Sequence, residues 1–197
     1  MKKILIVGDS FSALWNKKYT DYMGWPEKLA NTLDYEVTNL SQAGVGEYKI
    51  FKQLQKCNID DFDVVVISHT SPYRIHTRKH PIHTNDKLHK DCDLIYSDIN
   101  YHRFELKYFF NTALRVANAW FVHHYDMAYH EDIYELLRDK ITNLIGDIPC
   151  IVLCPFEPQT QSGGIDLQSI FKHHHGKINH LDLIGNNKVY KQICQRI

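Results

Sequence analysis

Apolar and polar positions follow two alternating periods along the chain, and their order predicts strands and helices in turn. The run Ile4-Leu5-Ile6-Val7 ends at Gly8 and has no helical period, as expected of a strand buried on both faces. Trp25-Pro26-Glu27-Lys28-Leu29 predicts a helix reaching about Leu33, with proline in the first turn, where its missing N–H does no harm. Tyr35 to Leu40 predicts a second strand, Gly44 and Gly46 mark the loop after it, and Tyr48 to Leu54 resumes a helical pattern. Asp63 to Ile67, rich in valine, predicts a third, central strand.

Two longer helices are expected next. Leu106, Phe109, Phe110, Ala113, Ala117, Trp120 and Phe121 recur at the spacing of one helix face, and so do Ile133, Leu136, Leu137, Ile141, Leu144 and Ile145. Both stripes are read as core. Pro149 introduces a strand from Cys150 to Cys154, and Val189, Ile193 and Ile197 place an apolar face on a C-terminal helix. Alternating β and α elements with strands apolar on both faces predict a three-layer α/β/α architecture around an open, flavodoxin-like parallel sheet, as one domain over residues 1–197. Ligands of such sheets bind beyond the carboxyl ends of the strands. Ser10, the Gly44 loop and the residues after Ile67 converge there.

Charge narrows the range of partners. The 23 basic and 23 acidic residues cancel, so no overall field points to nucleic acid or a membrane surface. The first apolar run is too short for a secretory signal and no run approaches the roughly 18 residues of a membrane span, so a cytoplasmic location is expected. Five scattered cysteines argue against a disulfide framework. Cys150 and Cys154, at even spacing on one strand, are expected to be buried reduced thiols on one side of the sheet.

The candidate chemistry starts at Gly8-Asp9-Ser10, where a turn after the first strand would expose a serine hydroxyl and lead into a helix. Asn39-Leu40-Ser41-Gln42-Ala43-Gly44 follows the second strand, and Asn179-His180-Leu181 lies shortly before the C-terminal helix. In this order the three blocks resemble the SGNH, or GDSL-like, hydrolases, a resemblance that spans nearly the whole chain. It implies the SGNH-hydrolase version of the fold, with Ser10 as nucleophile and His180 as its base, and it requires no cofactor. A serine hydroxyl needs such a base to lose its proton as it attacks, and imidazole titrates in the right range. The resemblance also implies oxyanion donors: the backbone N–H groups of Ser10 and Gly44, with an asparagine side chain from a third block.

The chain departs from that pattern twice. The third block reads Ser68-His69-Thr70-Ser71-Pro72, with Thr70 at the asparagine position, so Thr70 or Ser71 would have to supply the third donor. Lys177 stands where the family places an aspartate three residues before the histidine, and Asp166 and Asp182, the nearest acids, lack the expected spacing. A Ser10–His180 dyad, with a backbone carbonyl orienting the imidazole, is therefore expected in place of a full triad. Asp9 is read as structural, satisfying backbone N–H groups at the turn.

The stretch from Tyr73 to Lys90 carries Arg74, Arg78, Lys79, Lys87 and Lys90 against the single acid Asp86. Placed after the third strand, it would overhang the crevice, and Arg74, Arg78 and Lys79 are candidates for holding an anionic substrate such as an acidic glycan or a phosphorylated acyl carrier. His76, His80 and His83 invite a metal reading, but without a recognisable ligand pair a solvated loop is expected and no metal is assigned. Three functions fit: an esterase cleaving a small acyl ester, such as an O-acetyl group on a glycan; an O-acyltransferase using the same residues; and a catalytically degenerate protein binding an anionic ligand. No nucleic-acid or membrane partner is expected, and the oligomeric state is left open.

Overall fold

The computed structural model describes the chain except residues 16–20, 33, 84–88, 90, 103–105, 157–163 and 177–179, and the side chains of 106 and 107. Five parallel strands form one sheet in the order β2-β1-β3-β4-β5: β1 (Lys2–Gly8), β2 (Tyr35–Asn39), β3 (Val64–Ser68), β4 (Cys150–Cys154) and β5 (Ile165–Asp166). This is the flavodoxin-like doubly wound order. The central strands are apolar on both faces because both faces are covered, and Ile4 to Val7 and all of β3 are buried.

Side-chain alternation divides the core in two. Ile4, Ile6, Val64, Val66, Ile151 and Leu153 face α1 (Trp25–Ala30), α7 (Leu167–His173) and α8 (Leu183–Cys194), with Trp25, Leu29, Ile170, Val189 and Ile193 closing that layer. Leu5, Val7, Val65 and Ile67 face α2 (Glu47–Leu54) and α6 (Met127–Ile145), where Ile50, Leu54, Ile141 and Ile145 pack. The three-layer architecture expected from the hydropathy pattern is therefore present, with eight α-helices among the described residues.

The segment between β3 and α6 departs from expectation. The single long helix foreseen around 106–121 is split at Asn111 into α4 (Leu106–Phe110) and α5 (Thr112–His123), because the Asn111 side chain accepts the Leu114 N–H and caps a new helix. Phe109 and Phe110 are exposed, Ala117 and Phe121 are buried, and these pack with Ile99 of α3 (Tyr96–His102) and with Leu114 in a separate small cluster. In α6, Ile141 and Ile145 reach the sheet core while Leu136 and Leu144 face outward. Cys154 is buried but Cys150, at the entry to β4, is exposed, so the two do not share one environment. Among the described residues no helix is long and apolar enough to cross a membrane.

Candidate active site

Gly8 closes β1 with φ +149°, and a Cβ there would meet the Ser12 Oγ at 2.5 Å and the Ser68 carbonyl oxygen at 2.6 Å. Only glycine fits where the chain turns off the sheet so closely. The Gln53 side chain grips this peptide from α2, its Oε1 accepting the Gly8 N–H at 2.8 Å and its Nε2 donating to the Gly8 carbonyl at 3.1 Å. The Ser12 and Ala13 N–H groups then donate to the Asp9 carbonyl, so residues 9–13 form a hydrogen-bonded turn. Among the described residues no helix starts directly at Ser10, and α1 starts at Trp25, where the sequence pattern predicts it.

Two indoles hold this turn. Trp15 Nε1 donates to the Ser10 carbonyl at 2.9 Å, and buried Trp25 donates from its Nε1 to the Phe11 carbonyl at 2.8 Å. Asn186, near the start of α8, extends the chain of contacts. Its Oδ1 accepts the Trp25 N–H at 2.9 Å, while its Nδ2 donates to the carbonyls of Leu181 and Asp182. Tyr22 donates its hydroxyl to the same Leu181 carbonyl at 2.7 Å. The segment carrying His180 is thus fastened to the turn carrying Ser10 by side chains that a motif search passes over. In the sequence Asn186 is one polar residue on a helix, and nothing marks it as a buried bridge.

Ser10 and His180 line one crevice with Phe11, Trp15, Tyr22 and Leu181. The imidazole stacks on the Phe11 ring at 5.3 Å between centroids and meets the Trp15 indole edge-on at 4.2 Å. The Gly176 N–H donates to the His180 carbonyl at 2.6 Å. The neighbouring acids cap helices: Asp166 caps α7 by accepting the Ser169 N–H, and Asp182 caps α8 by accepting the Gly185 N–H, with its other oxygen 3.7 Å from His174 Nδ1. Lys177 and Asn179 lie outside the described residues.

The other two blocks reach the same edge of the sheet. β1 and β3 pair with Gly8 opposite Ser68, so Ser10 and Thr70 each stand two residues past the last paired level of neighbouring strands. The Gln42 N–H donates to the Gly8 carbonyl at 3.1 Å, which brings the loop after β2 alongside. Gly44 is buried with φ +74°, and a Cβ there would meet the Cys92 Sγ at 2.4 Å. Thr70 and Ser71 are buried. The Thr70 N–H donates to Glu47 Oε2, its hydroxyl has no hydrogen-bond partner, and Ser71 Oγ accepts the Tyr73 N–H. Thr70 and Ser71 line neighbouring crevices, and the Ser10–His180 crevice does not include them.

Behind the turn lies a buried ionisable cluster in which Asp9 takes a backbone N–H as the sequence suggests, while sequence reasoning missed its partners. Asp9, fully buried, accepts the Phe11 N–H at 3.0 Å and the Ser68 hydroxyl at 3.1 Å through Oδ1, and its Oδ2 has no hydrogen-bond partner. Burial pushes this carboxyl up to about 7 despite those donors and the nearby Arg74. Glu47, at the first turn of α2, receives His69 Nδ1 at 2.6 Å. The loop carrying Gly44 is tied to the segment after β3 by buried Asp93, whose Oδ2 accepts the Gly46 N–H at 2.7 Å and whose own N–H donates to the Gly44 carbonyl at 2.8 Å. Lys49 pairs with Asp93 Oδ1 at 2.7 Å.

The basic stretch divides. Arg74 is half-buried and donates from Nη1 to the Gly44 carbonyl at 3.1 Å, lining a second crevice with Glu47, Ser71, His76 and Tyr129. Arg78 and Lys79 are exposed, and Lys87, Lys90 and Asp86 lie outside the described residues. His76 is half-exposed, 3.5 Å from Asp93, as a loop residue would be. His80 is 1% exposed, which corrects the expectation of a solvated loop at that position: the chain folds back there and its Nδ1 accepts the Ile82 and His83 N–H groups.

Comparison with known proteins places the fold and nothing finer. The chain superposes on the crystal structure of an acetyl xylan esterase, AlAXEase, with a TM-score of 0.51 over 99% of both chains at 13% sequence identity. The likeness is one of fold. No known family profile matches the sequence, and no curated protein matches it.

Proposed function

We propose that this chain is a serine esterase of the SGNH type that cleaves a small acyl ester, such as an O-acetyl group on a glycan. The observation carrying this reading is that Ser10 and His180, 170 positions apart in the sequence, line one crevice at the carboxyl end of the sheet. The three motif blocks in family order support it. So does the full-length likeness in fold to the crystal structure of an acetyl xylan esterase.

In this mechanism Ser10 Oγ attacks the ester carbonyl as His180 takes its proton, and the carbonyl oxygen becomes an oxyanion. The Ser10 and Gly44 N–H groups, with the hydroxyl of Thr70 or Ser71, donate to that oxyanion. Collapse breaks the ester bond, and the departing alcohol oxygen takes the proton from the imidazolium. Water then attacks the acyl-enzyme with His180 again as base, releasing the acid and restoring Ser10. A sugar hydroxyl in place of water at this second step would make the product a new ester. His180 and Ser10 act as a dyad in this reading, with the imidazole set between the rings of Phe11 and Trp15. Arg74 holds the Gly44 loop through its carbonyl, and the exposed Arg78 and Lys79 are assigned in this reading to the charge of an anionic substrate.

The test is covalent. A fluorophosphonate probe should form an adduct at Ser10, located by mass spectrometry, and His180→Ala should abolish it while Ser10→Ala confirms the site. Folded protein that leaves Ser10 unlabelled would sink the esterase reading in favour of a binding protein that has lost its chemistry.

A further inference from the structure

One cluster outside the Ser10 crevice has a purpose that neither the sheet nor the esterase reading explains. His80, His83, Cys92 and Asp98 each bring one ligand atom to a common point, all within 4.8 Å of one another. They come from three places along the chain: the turn at 80–83, the residue before the buried Asp93, and the first turn of α3. His80 and Cys92 are buried. The His80 Nε2 is sealed from solvent and has no hydrogen-bond partner among the described residues, an arrangement that buried imidazoles ordinarily avoid.

We propose that His80, His83, Cys92 and Asp98 form a structural zinc site that staples the segment after β3 to itself beside the Gly44 loop. Two imidazoles, one thiolate and one carboxylate are a borderline-soft donor set suited to zinc over magnesium or calcium. Tetrahedral zinc with bonds of about 2.0–2.3 Å holds its ligand atoms roughly 3.3–3.8 Å apart, so the four groups need close in by only about an ångström. Charge fits as well. Arg74 and Lys49 stand close by, and an ion of charge +2 with one thiolate and one carboxylate makes a loaded site of zero net charge, which does not repel them.

Binding displaces the Cys92 thiol proton to solvent as the Sγ–metal bond forms. Coordination through His80 Nε2 places the ring proton on Nδ1, so the Ile82 and His83 N–H groups give up that acceptor on loading. Four protein ligands leave no open position, which assigns the ion to folding and not to the hydrolytic chemistry. Its consequence for the crevice is indirect. The Cys92 Sγ sits where a Gly44 side chain would be, so fixing Cys92 fixes the backbone of Gly44.

The experiment uses the full chain purified without chelator. Elemental analysis should find one zinc per chain. Replacement by cobalt(II) should give the visible bands of a tetrahedral ion and a near-ultraviolet thiolate charge-transfer band. Cys92→Ser should abolish that band, and His80→Ala should weaken metal affinity by more than the roughly 10- to 100-fold that loss of an outer hydrogen-bond partner costs. Cys154→Ser should change neither. Should Cys92→Ser fail to fold, Asp98→Asn should still lower affinity in a protein whose thiolate band persists. Substoichiometric metal, an octahedral cobalt spectrum, or a thiolate band that survives Cys92→Ser would overturn the site. None of these readouts depends on Ser10, so the zinc site and the esterase reading stand or fall separately.

Discussion

Asp9 and Ser10 are neighbours in one turn, yet the fold gives them opposite surroundings. Ser10 faces a crevice walled by Phe11, Trp15, Tyr22 and the His180 ring, while Asp9 points inward to Ser68 with Glu47, His69 and Arg74 behind it. On the Ser10 side the hydrogen bonds that hold the turn go to backbone carbonyls and leave the hydroxyl at the crevice. On the Asp9 side the side chains themselves are bonded to one another. The difference separates two kinds of support: one side holds the proposed nucleophile and base in place by their peptide units, and the other uses its ionisable groups as structure.

The strongest way to break this division is to delete each side in turn. Ser10→Ala should lower ester hydrolysis by about 10⁴-fold or more and leave the urea midpoint nearly unchanged, because the carbonyl bonded by Trp15 is untouched. Glu47→Ala should do the reverse. It strips a buried imidazole of its carboxylate and the Thr70 N–H of its acceptor, at about 3–5 kcal/mol of unfolding free energy, measured by urea denaturation. Residual folded protein should still label at Ser10 with a fluorophosphonate. A Glu47→Ala protein with native stability and no labelling would place His69 and Glu47 in the chemistry and erase the division.

The side carrying the proposed reactive residues was far more legible in the sequence than the structural one. Ser10, Gly44 and His180 stand in short blocks beside an apolar run, a glycine pair or a helix start, and local pattern finds them. Glu47, His69 and Asp93 read as ordinary polar residues at element ends, since what buries them is the pairing of β1 with β3 and the return of the 74–94 segment across the Gly44 loop. The sheet was legible for the same reason as the blocks: Ile4 to Val7 and Val64 to Ile67 are continuous apolar runs, and only burial on both faces suits them. The split at Asn111 was not, because a stripe of apolar residues does not reveal that an asparagine within it will cap a new helix.

Asp9 sharpens the comparison through pH. Its carboxyl is held at about 7 in the folded chain against an ordinary 3.8, so the folded form keeps a proton that the unfolded form has already released. Stability from this group is therefore greatest below about pH 4 and is lost progressively up to about pH 7, above which the loss is complete. Asp9→Asn, which can still accept the Phe11 N–H and the Ser68 hydroxyl, stays in the neutral form throughout. Its advantage over the wild type should grow across that window to at most about 4 kcal/mol. Denaturation curves at several pH values measure it, and two curves that run parallel from pH 4 to pH 8 would mean that Asp9 is not a buried acid of this kind.

Thr70 sits on the border between the two sides, which makes it the finest probe of the division. Its N–H belongs to the structural side through Glu47 Oε2, whereas its buried hydroxyl has no hydrogen-bond partner. Thr70→Val keeps the shape and the N–H and removes only the hydroxyl. Because that group has no bond to lose in the resting protein, stability should shift by less than about 1 kcal/mol, in either direction. If the hydroxyl donates to the oxyanion, kcat should fall by about 10²-fold with KM little changed, since the bond exists only as charge develops. A variant with unchanged kcat would move the third donor to Ser71, where Ser71→Ala should then show the loss. The two substitutions together decide which side of the border supplies the group that stands in for the asparagine.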